Sequence, residues 1–304
     1  VAGVSVNLAT NDALRSNREL SFLGGANSFI NVPAKGKLLN PGGFSFQVWL
    51  NNSGSGAQTL VDNGSVVIKL DASNHPVVTL GNKTLTADTA IIRTGEYNHL
   101  TVTASKSGSS YNVQIYVNGK LQKEGVLTPS SALTNSSLIK VGNAYKGMMD
   151  DIRFWNKVLG ADEILLNYDR ILSGKESGLV TYYKCDETDK INSDLFDCSA
   201  EGTQFNGNHA LKGIDATRRD VSIEAGHISL KGVTDANGIY TITNSVPFTS
   251  EGTTYTIAPS LGIHKFDPTK RPLFFSPDSK VFNNVDFTDV SSFPVSGVVY
   301  YANS

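Results

Sequence analysis

The residues best suited to chemistry lie in GMMDDIRFWNKVLGADEI, residues 147–164. Asp150 and Asp151 adjoin Arg153 and Trp155, and Asp162 and Glu163 follow. Two carboxylates facing one space, about 5 Å apart or somewhat more, can cleave a glycosidic bond. A carboxylate joined by backbone carbonyls can instead hold calcium, which takes roughly six to eight oxygens. The local pattern opposes the first use. MDDIRFW (149–155) reads as a strand, and adjacent strand side chains point to opposite faces, so Asp150 and Asp151 are not a dyad. Asp162 and Glu163 open ADEILLNYDRIL, where Ile164, Leu165, Tyr168, Ile171 and Leu172 share one helical face. Acids in a first turn suit the helix dipole, and Gly174 is placed to end the helix. No G-x-S-x-G occurs, and His75, His99, His209, His227 and His264 form no spaced cluster. Phosphate-binding and dinucleotide-binding glycine motifs are missing as well.

The elements around this segment are strands. The chain has 304 residues, a length that suggests roughly two domains. Glycine is abundant (28 residues), and short alternating runs separated by turn residues dominate, the all-β pattern. GFSFQVWL (43–50), SVVIKL (65–70), HPVVTL (75–80), HLTVTAS (99–105) and SLIKVGN (137–143) are such runs. YNVQIYVNGKLQKEG (111–125) places Asn118-Gly119 between two strands, the strongest short hairpin signal. A net charge of -2 with 18% charged residues leaves no basic footprint for nucleic acid and no polybasic patch for a membrane. No apolar run approaches the ~18 residues of a membrane span. No leader is visible and the chain opens on Val1, as expected of a piece of a longer protein.

In order, RELSFLGGANSFINVPA (18–34), LNPGGFSFQVWL, GEYNHLTVTAS, VQIYVNGKL, GMMDDIRFWNKVLGADEI and GLVTYYKCDE (178–187) resemble the LamG-like members of the concanavalin A-like jelly-roll superfamily. The resemblance spans residues 18–212 and implies a two-sheet jelly roll with one short helix. Two positions depart from it. A strand that commonly carries a Trp-His pair has Tyr97 and His99 with Asn98 between, and the usual Phe-Asp of the last strand is Cys185-Asp186. KGVTDANGIYTI (231–242) and TTYTIAPSLGIHKFDP (253–268) resemble a carboxypeptidase-regulatory-like or Cna-B-like module, a small Greek-key β-sandwich. Such modules open on a strand like VAGVSVNLAT, which stands here at residues 1–10. The jelly roll is therefore expected as an insertion, with residues 1–17 and 213–292 forming the sandwich. FPVSGVVYYANS (293–304) echoes the first strand and is expected to begin a following module in a tandem array.

What these resemblances imply is binding rather than catalysis. The superfamily's glucanases carry E-x-D-x-x-E on one strand; here CDETDK (185–190) comes nearest, and it follows a strand. Distant acids can still converge in space, which disfavours hydrolysis without removing it. A structural calcium is implied on Asp150, with carbonyls near Gly24 and Asn27 as partners; the bland alternative has Asp150 capping loop amides. Asp62 and Asn63 form a second rim position. Trp49 and Trp155 fall within strand patterns and read as core, whereas Tyr145 in GNAYKG is the better loop aromatic for stacking on a ligand. Cys185 and Cys198 read either as two thiols or as one disulfide closing a polar loop. The expected protein is a non-enzymatic, extracellular adhesion module of a bacterial surface, recognising glycan or protein. A carbohydrate-binding accessory of a glycoside hydrolase and a passive spacer are the alternatives.

Overall fold

The computed structural model describes residues 1–9, 18–25, 28–33, 42–89, 91–134, 138–185, 194–195, 197–199, 216–219, 221–225, 230–242, 246, 248 and 251–292. The chain divides into two compact units, Val1–Ala13 with Ile228–Ser304, and Leu14–His227. Strands are numbered in chain order. In the smaller unit one sheet runs β18 (Lys231–Val233), β1 (Ser5–Ala9), β19 (Thr253–Ser260), β21 (Arg271–Phe275), and β20 (Phe266–Asp267) pairs with β22 (Thr288–Asp289). The N-terminal strand thus sits between strands more than 220 residues later, with Val6 opposite Gly232 and Pro259. Alternation explains its packing: Val4, Val6 and Leu8 join Phe248, Tyr255, Ile257 and Phe275 in one core.

The larger unit is two sheets face to face. The first runs β11 (Lys120–Leu127), β10 (Ser110–Val117), β9 (Tyr97–Ser107), β4 (Gly43–Asn52), β13 (Lys146–Trp155), β2 (Arg18–Leu23), β17 (Val221–Ala225), and β14 (Leu179–Tyr183) also pairs with β13. The second runs β15 (Asp194–Leu195), β16 (Ala216–Arg219), β3 (Phe29–Pro33), β12 (Leu138–Val141), β5 (Gln58–Asp62), β6 (Val66–Leu70), β7 (Pro76–Leu80), β8 (Lys83–Thr86). Phe44, Phe46, Val48 and Leu50 of β4, with Leu100, Val102 and Met149, turn inward against Ile30, Leu60, Ile68 and Val141 of the second sheet. The expected boundary at 212 moves outward. β16 adds to β3 and β17 to β2, so residues 216–219 and 221–225 belong to the larger unit, where they cover sheet edges that would otherwise stand open.

The helix α1 (Ala161–Asn167) is shorter than the periodicity suggests. Of the expected face, Ile164, Ile171 and Leu172 are buried and Tyr168 is half-buried, while Leu165 is exposed and Asn167 is buried in addition. Glu163 holds its start, accepting the Gly160 N–H (3.2 Å) and pairing with Lys157 (2.6 Å). That lysine contact holds the Glu163 carboxyl below its ordinary pKa. Its end is taken over by the sheet beneath. Arg153 donates to the carbonyls of Asn167 and Arg170 (both 2.7 Å), and the Trp49 indole donates to Tyr168 (3.1 Å). These are carbonyls a helix end leaves without intrahelical partners, so further helical turns are not needed to satisfy them.

Residues 293–304, expected to begin a following module, lie outside the described residues.

Candidate functional site

The outer face of the first sheet is polar. It carries Ser45, Gln47, Trp49 and Asn51 from β4, Tyr97, His99, Thr101 and Thr103 from β9, and Arg153 and Trp155 from β13. α1 and the chain around it cover most of this face. Ser45, Gln47, His99, Thr101, Thr103 and Arg153 are fully buried there. Buried polar groups need partners, and most have them. Ser45 donates to the Lys157 carbonyl and accepts the Leu159 N–H (2.9 Å each). Gln47 accepts from the Trp155 indole (3.0 Å) and donates to Thr101 (3.3 Å). Asp151, held at φ 50 on a bulge of β13, pairs with Arg153 (3.4 Å) and accepts the Tyr182 hydroxyl (2.9 Å). The Asp-Asp-x-Arg segment is therefore the anchor of the helix corner.

Beyond the cover the face opens. Ser21, Met148, Asn51 and Tyr97 stand in one row across β2, β13, β4 and β9, in register, and all four are half-buried. The row behind holds Asp150, Trp49 and His99. Tyr97 donates its hydroxyl to both oxygens of Glu19 (2.9 Å each). β4 and β13 lie between their strands, a gap of three inter-strand spacings, about 14 Å. To meet, the two side chains must lie along the sheet instead of standing off it. Burial, then the Glu19 charge, push the Tyr97 hydroxyl well above its ordinary pKa, so it stays a protonated donor. Trp49, half-buried, packs edge-on against His99 (5.3 Å) and near Tyr168 (6.3 Å). Both acids of this region are covered: Glu19 is 2% exposed and Asp150 is 0% exposed. Neither can reach a glycosidic oxygen in this arrangement.

The residues singled out from sequence fall elsewhere. Tyr145 is fully buried, not a loop platform. Its N–H closes a tight turn on Gly142 (2.9 Å), which folds the ring inward against Phe22 (5.7 Å), and its hydroxyl donates to Met148 (3.3 Å). Asp150 and Gly24 stand well apart along the sheet. Leu23 pairs with Lys146, and Asp150 lies four residues further along β13, roughly 13 Å at strand rise. Asp150 accepts the Asp151 N–H (2.8 Å). Asn27 lies outside the described residues. Among the described residues no group of three or more His, Cys, Asp or Glu is placed to hold a metal. Asp62, the last residue of β5, is engaged by the Gly64 N–H (2.8 Å), and Asn63, just after it, is buried with neither amide atom partnered. Cys185 and Cys198 are thiols, not bridged. Tyr183 pairs with Asp197, which sets Cys198 beside Tyr182 and three residues from Cys185. That is about 10 Å, beyond the ~7 Å Cα limit of a disulfide. Cys185 joins the inter-sheet core and Cys198 the layer under α1. The sequence reading does not single out Tyr97 as a candidate. Its signal was the Tyr97-Asn98-His99 spacing, visible as a departure but not as a site.

Residues 24–165 match the family model Laminin_G_3, described as the concanavalin A-like lectin/glucanases superfamily. Among solved structures, the chain is similar to a Bacteroides ovatus ATCC 8483 protein named as a candidate carbohydrate binder, at 14% identity and TM-score 0.49. That match covers 75% of this chain and 61% of that one, so the chain spans about three-fifths of its length. It is also similar to the CBM40 of the Ruminococcus gnavus IT-sialidase, bound to α2,3 sialyllactose, at 13% identity and TM-score 0.38, covering 51% of this chain and 99% of that one. A heptameric SAP-like pentraxin of Limulus polyphemus is similar at 9% identity and TM-score 0.38, covering 75% and 97%. No curated protein matches the chain. Residues 24–165, which lie within the two-sheet unit, are therefore similar to the concanavalin A-like lectin/glucanases superfamily, and the same chain carries a second, smaller β-sheet region.

Proposed function

We propose that this chain is a non-enzymatic carbohydrate-binding module acting at a cell surface or outside the cell, with the smaller unit serving as a Cna-B-like stalk. The observation that carries the reading is the Tyr97–Glu19 tie at the open end of the polar face. A tyrosine laid along a sheet, with its hydroxyl held, is a flat apolar platform with little rotational freedom left to lose on binding. Asn51 and Ser21 beside it supply amide and hydroxyl groups for sugar hydroxyls. The covered state of Glu19 and Asp150 supports binding without turnover. Solved structures whose names mention carbohydrate agree with this reading without carrying it.

The test is a glycan-array screen of the full chain, followed by titration of any hit against Tyr97→Ala and Tyr97→Phe. Tyr97→Ala is expected to lose roughly tenfold or more in affinity, equivalent to about 1.4 kcal/mol. Tyr97→Phe, which keeps the ring, should lose less. A hit whose affinity is unchanged in a folded Tyr97→Ala protein places binding elsewhere and refutes the assignment.

A further inference from the structure

We infer, resting on the site proposed above, that the ligand is an extended glycan chain laid across several aromatic rings, and not a single terminal sugar. The rings are Tyr97, Trp49 and Tyr168, which follow one another across the outer face of the first sheet. Trp49 stands opposite His99 of β9, so Tyr97, two residues before His99, is the diagonal neighbour of Trp49. Diagonal neighbours lie about 7–8 Å apart, within reach of aromatic side chains. Tyr168 comes next, its ring centroid 6.3 Å from that of Trp49. Beyond it lies the β10–β11 turn, where a Cβ on Gly119 would meet both the Tyr168 ring and Leu165. The three rings therefore run farther than one sugar ring can cover. All three are half-buried, so each keeps part of its surface exposed, and Leu165 past Tyr168 is 52% exposed.

Each ring is also held in place. The Tyr97 hydroxyl donates to Glu19. The Trp49 indole donates to the Tyr168 carbonyl (3.1 Å), which ties the second ring to the backbone of the third. His99, fully buried, packs against both, its centroid 5.3 Å from that of Trp49 and 5.7 Å from that of Tyr168. Groups fixed before binding lose little freedom when a ligand arrives. The arrangement suits a polymer. An aromatic side chain offers an apolar body for a sugar ring to rest on, and a glycan chain presents one ring after another. A lone small ligand is held differently, in a concave pocket that buries most of its surface. Here the rings are strung along the face of a sheet.

The experiment titrates the full chain with cello-, xylo-, manno-, galacto- and chito-oligosaccharides, each from the monosaccharide to the hexasaccharide. At least one series is expected to bind, with affinity rising roughly tenfold or more from the monosaccharide to the tetrasaccharide and levelling off beyond it. Tyr168→Ala, checked for folding, is expected to flatten that rise while leaving the shortest member that binds within about twofold of wild type. Tyr97→Ala should weaken every member. Should Tyr168→Ala fail to fold, the length series on the wild-type chain decides alone. Monosaccharide and tetrasaccharide binding equally, both weakened by Tyr97→Ala, overturns the inference and leaves the site intact. A rise that persists in folded Tyr168→Ala overturns the path over Tyr168. Binding of no member of any series removes the site and the inference together.

Discussion

Acid should weaken the larger unit through one imidazole, and the size of the effect follows from its burial. His99 is fully buried on the polar face, edge-on to Trp49 and 5.7 Å from Tyr168. Its Nδ1 lies 3.4 Å from Thr101 Oγ1, and its Nε2 has no partner. Desolvation first, and the Arg153 charge second, hold its pKa well below the ordinary value. In the unfolded chain the same ring takes a proton near pH 6.5. Below that pH the unfolded state binds a proton that the native state refuses, so stability falls as pH falls, by about 1.4 kcal/mol per unit. Integrated from about pH 7.5 to about pH 5, the loss is about 2 kcal/mol. The depressed carboxylates, such as Glu163 beside Lys157, titrate below this window. The assay is urea unfolding followed by tryptophan fluorescence. The chain has 2 tryptophans, and both Trp49 and Trp155 lie in the larger unit, so the smaller unit stays silent. His99→Phe keeps an aromatic ring between Trp49 and Tyr168 and removes the titration. The stability difference between wild type and variant should shift by about 2 kcal/mol toward the variant across the window. A difference that stays flat with pH would show that the native state accommodates the proton, and the argument from burial would fail.

Three further outcomes can be checked on the same protein. Arg153→Met leaves Asp151 buried without its cation and strips the carbonyls of Asn167, which ends α1, and of Arg170 of this donor; fluorescence-detected unfolding should show a loss of about 3–5 kcal/mol. Gly142 has φ 74, and a Cβ there would collide with the Phe22 ring. Gly142→Ala should cost about 2 kcal/mol or more, from backbone strain and a displaced core ring, read in the same assay. Alkylation with iodoacetamide in denaturant, without reductant, should add two adducts by mass spectrometry, because Cys185 and Cys198 are separate thiols; no adducts would mean a bridge.

The strands were readable because period-two alternation and turn chemistry act over a few residues. Phe44, Phe46, Val48 and Leu50 could only make one face of a strand, and the structure puts that face in the core. Asn118-Gly119 reads as the β10–β11 turn, with both residues at positive φ. The helix was overextended for the opposite reason. What ends it is a guanidinium from β13 and an indole from β4, groups that a local pattern cannot see. Tyr145 failed in the same way. Its loop is short and polar in sequence, but the Gly142 turn reverses the ring into the inter-sheet space.

Tyr97 makes the general point about where function becomes invisible to sequence. Glu19 is 78 residues away, and only the order of strands across the sheet brings the pair onto one face. Each residue alone reads as a solvated strand terminus. Alternation settles which face a side chain occupies, but not which other strand's residue it meets there; that depends on topology. The same reasoning explains the polar face as a whole. Gln47, Thr101 and His99 sit at positions that alternation assigns outward, toward water, and the chain from Trp155 onward returns to cover them. Covering a polar face is tolerable only where its groups are paired, which is why the indole of Trp155 meets Gln47. Where the cover stops, the same polar chemistry is left facing outward, and that boundary at Trp49 and Tyr97 is the site proposed for a ligand.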